Sequence, residues 1–292
     1  MGIDITIRQT AAKKKVLPLD VILGEELVYG AFDGLRTIPG EAGERSIIVW
    51  HPEHIGRGFS VEWKEGEKRK VEMRLPLPSA APEIKDFYEA VERIAKYWNC
   101  GIEEDGQKAD LDTFMAGLEG MQEVNNRMVV EMAEQVFMGE KDGSMTMPSA
   151  IWQLAVGKEE ARQFLRTPEK FGPWLHDRQM VDAYYAMAQY YDRQGKTVGS
   201  FVLPTDTPTI LPRIPQVPFG FIDTDTGLPL VCDTYEMRFW DSEAEKLFAV
   251  MDYDAFLDRV DASKCERYDG DCFLVQGLPL QELKRVAGLE EQ

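Results

Sequence analysis

Histidine is scarce in this chain, with three among 292 residues. Imidazole is the commonest general base near neutral pH, so its scarcity narrows the chemistry on offer. Cysteine is also sparse: Cys100, Cys232, Cys265 and Cys272 form no CxxC pair, which leaves little basis for a zinc site. Without a secretory leader the four read as reduced thiols, and the expected compartment is cytoplasmic. Nowhere do eighteen apolar residues run together, which excludes a helix that spans a membrane. The phosphate cradles GxxxxGK[ST] and GxGxxG are missing, and so is the GxSxG elbow of the α/β-hydrolases. No cofactor is therefore expected.

Charge of one sign is in short supply too. Lys and Arg number 33 against 51 Asp and Glu, a formal net charge of −18. Residues 1–75 balance acid and base, so the whole excess lies from residue 76 onward. Duplex nucleic acid is repelled by such a surface, because phosphate binding needs a basic face. The same surface attracts a basic protein, and it also keeps a protein soluble.

What is present reads as an α+β protein: antiparallel sheets with helices packed on them, in two intimately packed lobes. Ile3, Ile5 and Ile7 alternate as a first strand, and Ile47 to Trp50 form a buried one. Phe59-Val61-Trp63 and Val71-Met73-Leu75 alternate with polar neighbours around a turn at Glu65–Lys68, a hairpin with one apolar face. Pro82 suits a first helical turn, and Ile84, Phe87, Tyr88, Val91, Ile94, Ala95 and Trp98 then share one stripe that closes at Gly101. From 107 the pattern is helical: Asp110 caps a helix, Asn125-Asn126 interrupts, and a second stripe follows. A strand within 145–156, a short helix at 159–165 and a long helix over 177–194 come next. After a strand at 198–203, prolines 204, 208, 212, 215 and 218 read as an extended connector. Strands are expected at 228–232, 235–240, 246–251 and 272–276, and helices at 253–260 and from Pro279 to Val286. The organisation expected is a strand-rich lobe at 1–106, a helical middle at 107–196 and an α+β lobe at 197–292, which together form one domain or several.

RGF opening a strand, MRLPLPS closing the next and a helix running into CGIEEDG resemble an uncharacterised bacterial domain-of-unknown-function family of cytosolic proteins about 300 residues long. VDAYYA at 181–186, ILPRIPQVP at 210–218 and the helix before Tyr268-Asp269 extend the resemblance over nearly the whole chain. These motifs are structural, so the resemblance implies a source and a compartment but no active site, ligand or partner.

One local cluster carries chemistry. His51, Glu53 and His54, with Arg57 just beyond, place two imidazoles and a carboxylate within four residues. Pro52 forbids the regular helix of a zinc protease, so the natural home is a turn between strands. Asp223 to Gly227 resembles the start of a calcium loop but lacks its third acid and closing Glu, and reads as a hairpin turn. Two functions remain in view: a non-enzymatic accessory protein that binds a basic protein partner through its acidic C-terminal two-thirds, and a metal-assisted hydrolase using the His51–Glu53–His54 turn.

Overall fold

Alternating isoleucines make the N-terminal strand the keystone of a sheet. The computed structural model describes residues 2–9, 15–34, 36–63, 70–139, 143–217, 221–223, 226–228, 230–261 and 265–289. The turn expected at 65–68 lies outside them, as do Thr224 and Asp225. Contacts gather the chain into two units, Met1–Met180 and Val181–Gln292, with the helices between residues 110 and 180 belonging to the first.

In the first unit, β1 (Gly2–Arg8), α1 (Leu19–Leu23), β2 (Val28–Phe32), β3 (Thr37–Pro39), β4 (Ser46–Trp50), β5 (Phe59–Glu62), β6 (Lys70–Pro76), α2 (Ala81–Trp98), β7 (Ile102–Glu104) and β8 (Gln107–Ala109) follow in order. The strands form an eight-stranded sheet, β3-β2-β4-β5-β6-β1-β7-β8. Every neighbouring pair in it is antiparallel. Ile3, Ile5 and Ile7 stand opposite Leu75, Met73 and Val71, so one face of the sheet is continuously apolar. The expected stripe of α2 covers that face, with Phe87 meeting Phe59 edge-on at 5.4 Å between ring centres. Burial of each large side chain contributes about 1.5–3 kcal/mol, which ties the helix to the sheet. The helix ends two residues earlier than expected: Asn99, at φ 48°, takes the left-handed cap in place of Gly101.

Asp110 caps α3 (Leu111–Ala116) by accepting the Thr113 N–H. The break expected at Asn125-Asn126 does not occur, and α4 runs from Leu118 to Met138. Buried Asn125 spends its amide away from its own helix: its Oδ1 accepts the Ser79 N–H at 2.8 Å and its Nδ2 donates to the Ser79 carbonyl at 2.9 Å. The competition with the helix backbone that makes Asn a breaker is thereby removed. The 145–156 stretch is a hairpin of β9 (Met145–Pro148) and β10 (Gln153–Val156), followed by α5 (Lys158–Arg166) and α6 (Phe171–Gln179).

The second unit departs further from expectation. The long helix over 177–194 is absent; α6 stops at Gln179, and β11 (Tyr184–Tyr185) and β12 (Gln189–Arg193) follow. Tyrosines favour pleated surfaces, and Gln194 (φ 56°) with Gly195 (φ 78°) forms the two-residue turn that leads β12 into β13 (Lys196–Pro204). The proline segment is no simple connector, because β14 (Thr209–Pro212) is cut from it and buried. No strand forms among the described residues of 228–232. β15 (Thr234–Asp241) and β16 (Lys246–Asp252) make the expected hairpin, and α7 spans Tyr253–Val260. β17 (Glu266–Arg267), β18 (Cys272–Val275) and α8 (Leu280–Ala287) complete the unit. Its two sheets run β12-β13-β15-β16 and β11-β14-β18-β17. Both are mixed and not purely antiparallel, since β13 pairs β15 and β11 pairs β14 in parallel. Phe201, Met237, Phe239, Phe256 and Phe273 fill the core beneath α7 and α8.

Candidate functional site

Residues 51–58 connect β4 to β5, the turn position expected for the histidine cluster. Side chains from distant parts of the first unit grip a backbone group of each residue in its second half, Ile55 to Gly58. On α2, Glu83 accepts the N–H of Gly58 through Oε1 at 2.6 Å and the N–H of Arg57 through Oε2 at 2.8 Å. The Ser79 hydroxyl donates to the same Oε2. From α6, His176 Nδ1 accepts the Ile55 N–H at 3.0 Å, and Gln179 Nε2 donates to the Gly56 carbonyl at 2.8 Å. Gln179 Oε1 also accepts the Ile151 N–H, tying the strand hairpin to the same place. Gly56 is required here, because a Cβ would collide with the Glu83 carboxyl.

Glu83 is fully enclosed. Burial pushes its carboxyl above the ordinary range, against the opposing pull of the Ser79 hydroxyl, the two N–H groups and the Arg57 charge. Arg57 turns inward: Nε donates to the Pro148 carbonyl at 2.9 Å and Nη1 to the Pro78 carbonyl at 3.3 Å. Burial brings its guanidinium down to about 10, with Glu83 pulling the other way.

The first half of the loop shows solvent a different chemistry. His51 and His54 stack with ring centres 3.8 Å apart and 15° between planes. His54 Nε2 lies 2.7 Å from Asp86 Oδ2, on α2. His51 Nδ1 accepts the Glu53 N–H at 3.1 Å, and its Nε2 lies 3.8 Å from the exposed carboxylate of Glu26. These contacts place the ring protons of neutral His51 on Nε2 and of neutral His54 on Nε2, leaving His54 Nδ1 with a free lone pair. Glu53 is exposed.

All three histidines of the chain therefore meet at one loop. The sequence brought His51 and His54 together and put Arg57 and Glu53 with them, but in space Arg57 is a brace and Glu53 a rim residue. Asp86, Glu83, Ser79, His176 and Gln179 were missed. A signal for two of them existed: Glu83 and Asp86 are carboxylates placed three residues apart beside the apolar stripe of α2, where a polar residue needs a partner. Among the described residues, no three of His, Cys, Asp and Glu converge as a set that could hold a metal ion. Asp223 Oδ1 accepts the Thr226 N–H at 2.9 Å.

A family model described as a domain of unknown function, DUF4299, matches residues 2–286. The chain belongs to that family. The DUF4299 match takes in both units and the whole histidine loop. No curated protein and no solved structure matches the chain. Among the described residues, no helix is long and apolar enough to cross a membrane.

Proposed function

We propose that this DUF4299 protein works by binding a basic protein partner, as an accessory protein of the bacterial cytoplasm and not as an enzyme. The observation that carries the reading is the immobilised loop at 51–58. A scaffold that grips a loop from α2 and α6 prepares its exposed side for recognition at little entropic cost. That exposed side carries the carboxylates of Glu26 and Glu53 beside the stacked imidazoles, and carboxylates accept charge-assisted hydrogen bonds from lysine and arginine. The acid excess beyond residue 76 supplies longer-range attraction. Four cysteines outside any disulfide suit a reducing compartment.

The test is capture from a lysate of the source cells with tagged wild type and with the double variant Glu53→Lys, His54→Ala. A basic protein retained by wild type, released as salt rises past ~0.2 M, and not retained by the variant is the expected outcome. Folded wild type that retains no basic protein at low salt overturns the reading.

One contact favours a second reading. The pairing of His54 with Asp86 is the arrangement that orients an imidazole as a general base, and a hydrolase working at the His51–Glu53–His54 turn would use it. Elemental analysis of protein purified without chelator tests its metal-assisted form: a stoichiometric ion lost on His51→Ala supports it, and metal-free protein removes it.

A further inference from the structure

We propose that β16, the outer strand of the second unit, takes up an extended lysine- or arginine-bearing segment of the partner by strand addition; this rests on the reading that the protein binds a basic partner. In the order β12-β13-β15-β16 the strand is terminal, so among the described residues no strand pairs with its outer side. Sheet edges are commonly guarded by charge, proline or a very short strand. Here Leu247 to Met251 is uninterrupted by charge or proline within a strand of seven residues, and its one irregularity is a register shift against β15 at Phe248, between the Phe239 and Trp240 pairings.

The side chains match an incoming strand. Phe248, Ala249 and Met251 pack against the core of the unit, while Leu247 and Val250 remain 43% and 45% exposed. Leu247 stands opposite Trp240 of β15, itself 37% exposed, so the outward face presents a short apolar strip. Both ends of the strip are acidic. Glu243 and Glu245 stand exposed in the turn before β16, and Asp252, Asp254 and Asp258 stand exposed after it, against Lys246 on the strand and Arg259 beyond. Main-chain pairing supplies affinity in such additions, and alternate side chains supply selection. Apolar residues in the middle with cations at the two ends describe the segment that complements this edge.

The experiment uses the full chain and two synthetic nonapeptides, one alternating lysine with valine and one alternating glutamate with valine, with amide hydrogen exchange read across β16. With the lysine peptide at about ten times its Kd, mass action gives about tenfold slower exchange of β16 amides. The glutamate peptide leaves exchange unchanged, and Leu247→Lys abolishes the effect while circular dichroism shows the fold retained. Leu247→Ser, which adds no charge, weakens binding of the lysine peptide. Equal protection by both peptides overturns the proposal. So does slower exchange that grows with protein concentration alone, which marks the edge as a contact between two copies of this chain. An unprotected β16 in wild type that still captures its basic partner from lysate overturns the strand addition and leaves the binding function standing; loss of that capture overturns the function itself.

Discussion

Replacing Glu83 with alanine removes the acceptor of the buried Gly58 N–H and of the part-buried Arg57 N–H. Each buried donor left unmade costs about 1–3 kcal/mol, so Glu83→Ala should lower unfolding free energy in urea by about 3 kcal/mol. Glu83→Gln keeps one acceptor and should cost less. The acid also sets a pH dependence. Because burial raises its pKa in the folded state above 4.5, the folded protein holds the proton more tightly than the unfolded chain. Its contribution is therefore fully present below pH 4.5 and declines as pH rises through the raised value. Glu83→Gln should flatten that part of the stability profile, and an unchanged slope in urea titrations at successive pH values would contradict the assignment. Gly56→Ala drives a methyl into the same carboxyl and should destabilise by about 1–3 kcal/mol in thermal melts. The histidine pair was legible in the sequence because both members lie in one turn. Their acidic partner was not, since no local pattern links residue 54 to residue 86.

Elements with a strong period were read well, and those depending on a distant partner were read badly. The α2 stripe and the alternation of β5 and β6 carry their geometry locally, as do Asp110 and the Tyr253–Val260 helix. Asn125 shows the opposite case. A polar pair inside an apolar stripe reads as a break, and only the Ser79 backbone, 46 residues away, explains why the helix continues. Asn125→Ala should leave both Ser79 groups unpaired and cost about 2 kcal/mol, measured by chemical denaturation, while Asn126→Ala should cost much less. The 177–194 stretch failed for a related reason. Four tyrosines at mixed spacing fit a helix and a strand equally well, and the turn at Gln194–Gly195 decides the matter in favour of the strand. At the same scale, Asp252→Ala removes the side-chain acceptor of the Ala255 N–H and should cost α7 about 1 kcal/mol in a thermal melt.

At the scale of the molecule, fold class was legible; composition shifts at 107 and 197, and contacts divide the chain at 180. Parallel pairing in the second unit was hidden, as strands β13 and β15 meet across residues 205–233, a proline-rich stretch. Charge was readable directly: the second unit carries twice as many acidic as basic residues, so its affinity for any basic partner should fall with ionic strength. The position of β1 has a consequence for synthesis. It lies between β6 and β7, so it pairs with strands that are translated after it and end at residues 76 and 104. Until both emerge from the ribosome, Ile3, Ile5 and Ile7 have no sheet to join, and the nascent chain offers a holdase chaperone an apolar segment. Ribosome-bound chains emerged only as far as residue 70 should be cut rapidly by protease within β1, and chains emerged as far as residue 139 should resist.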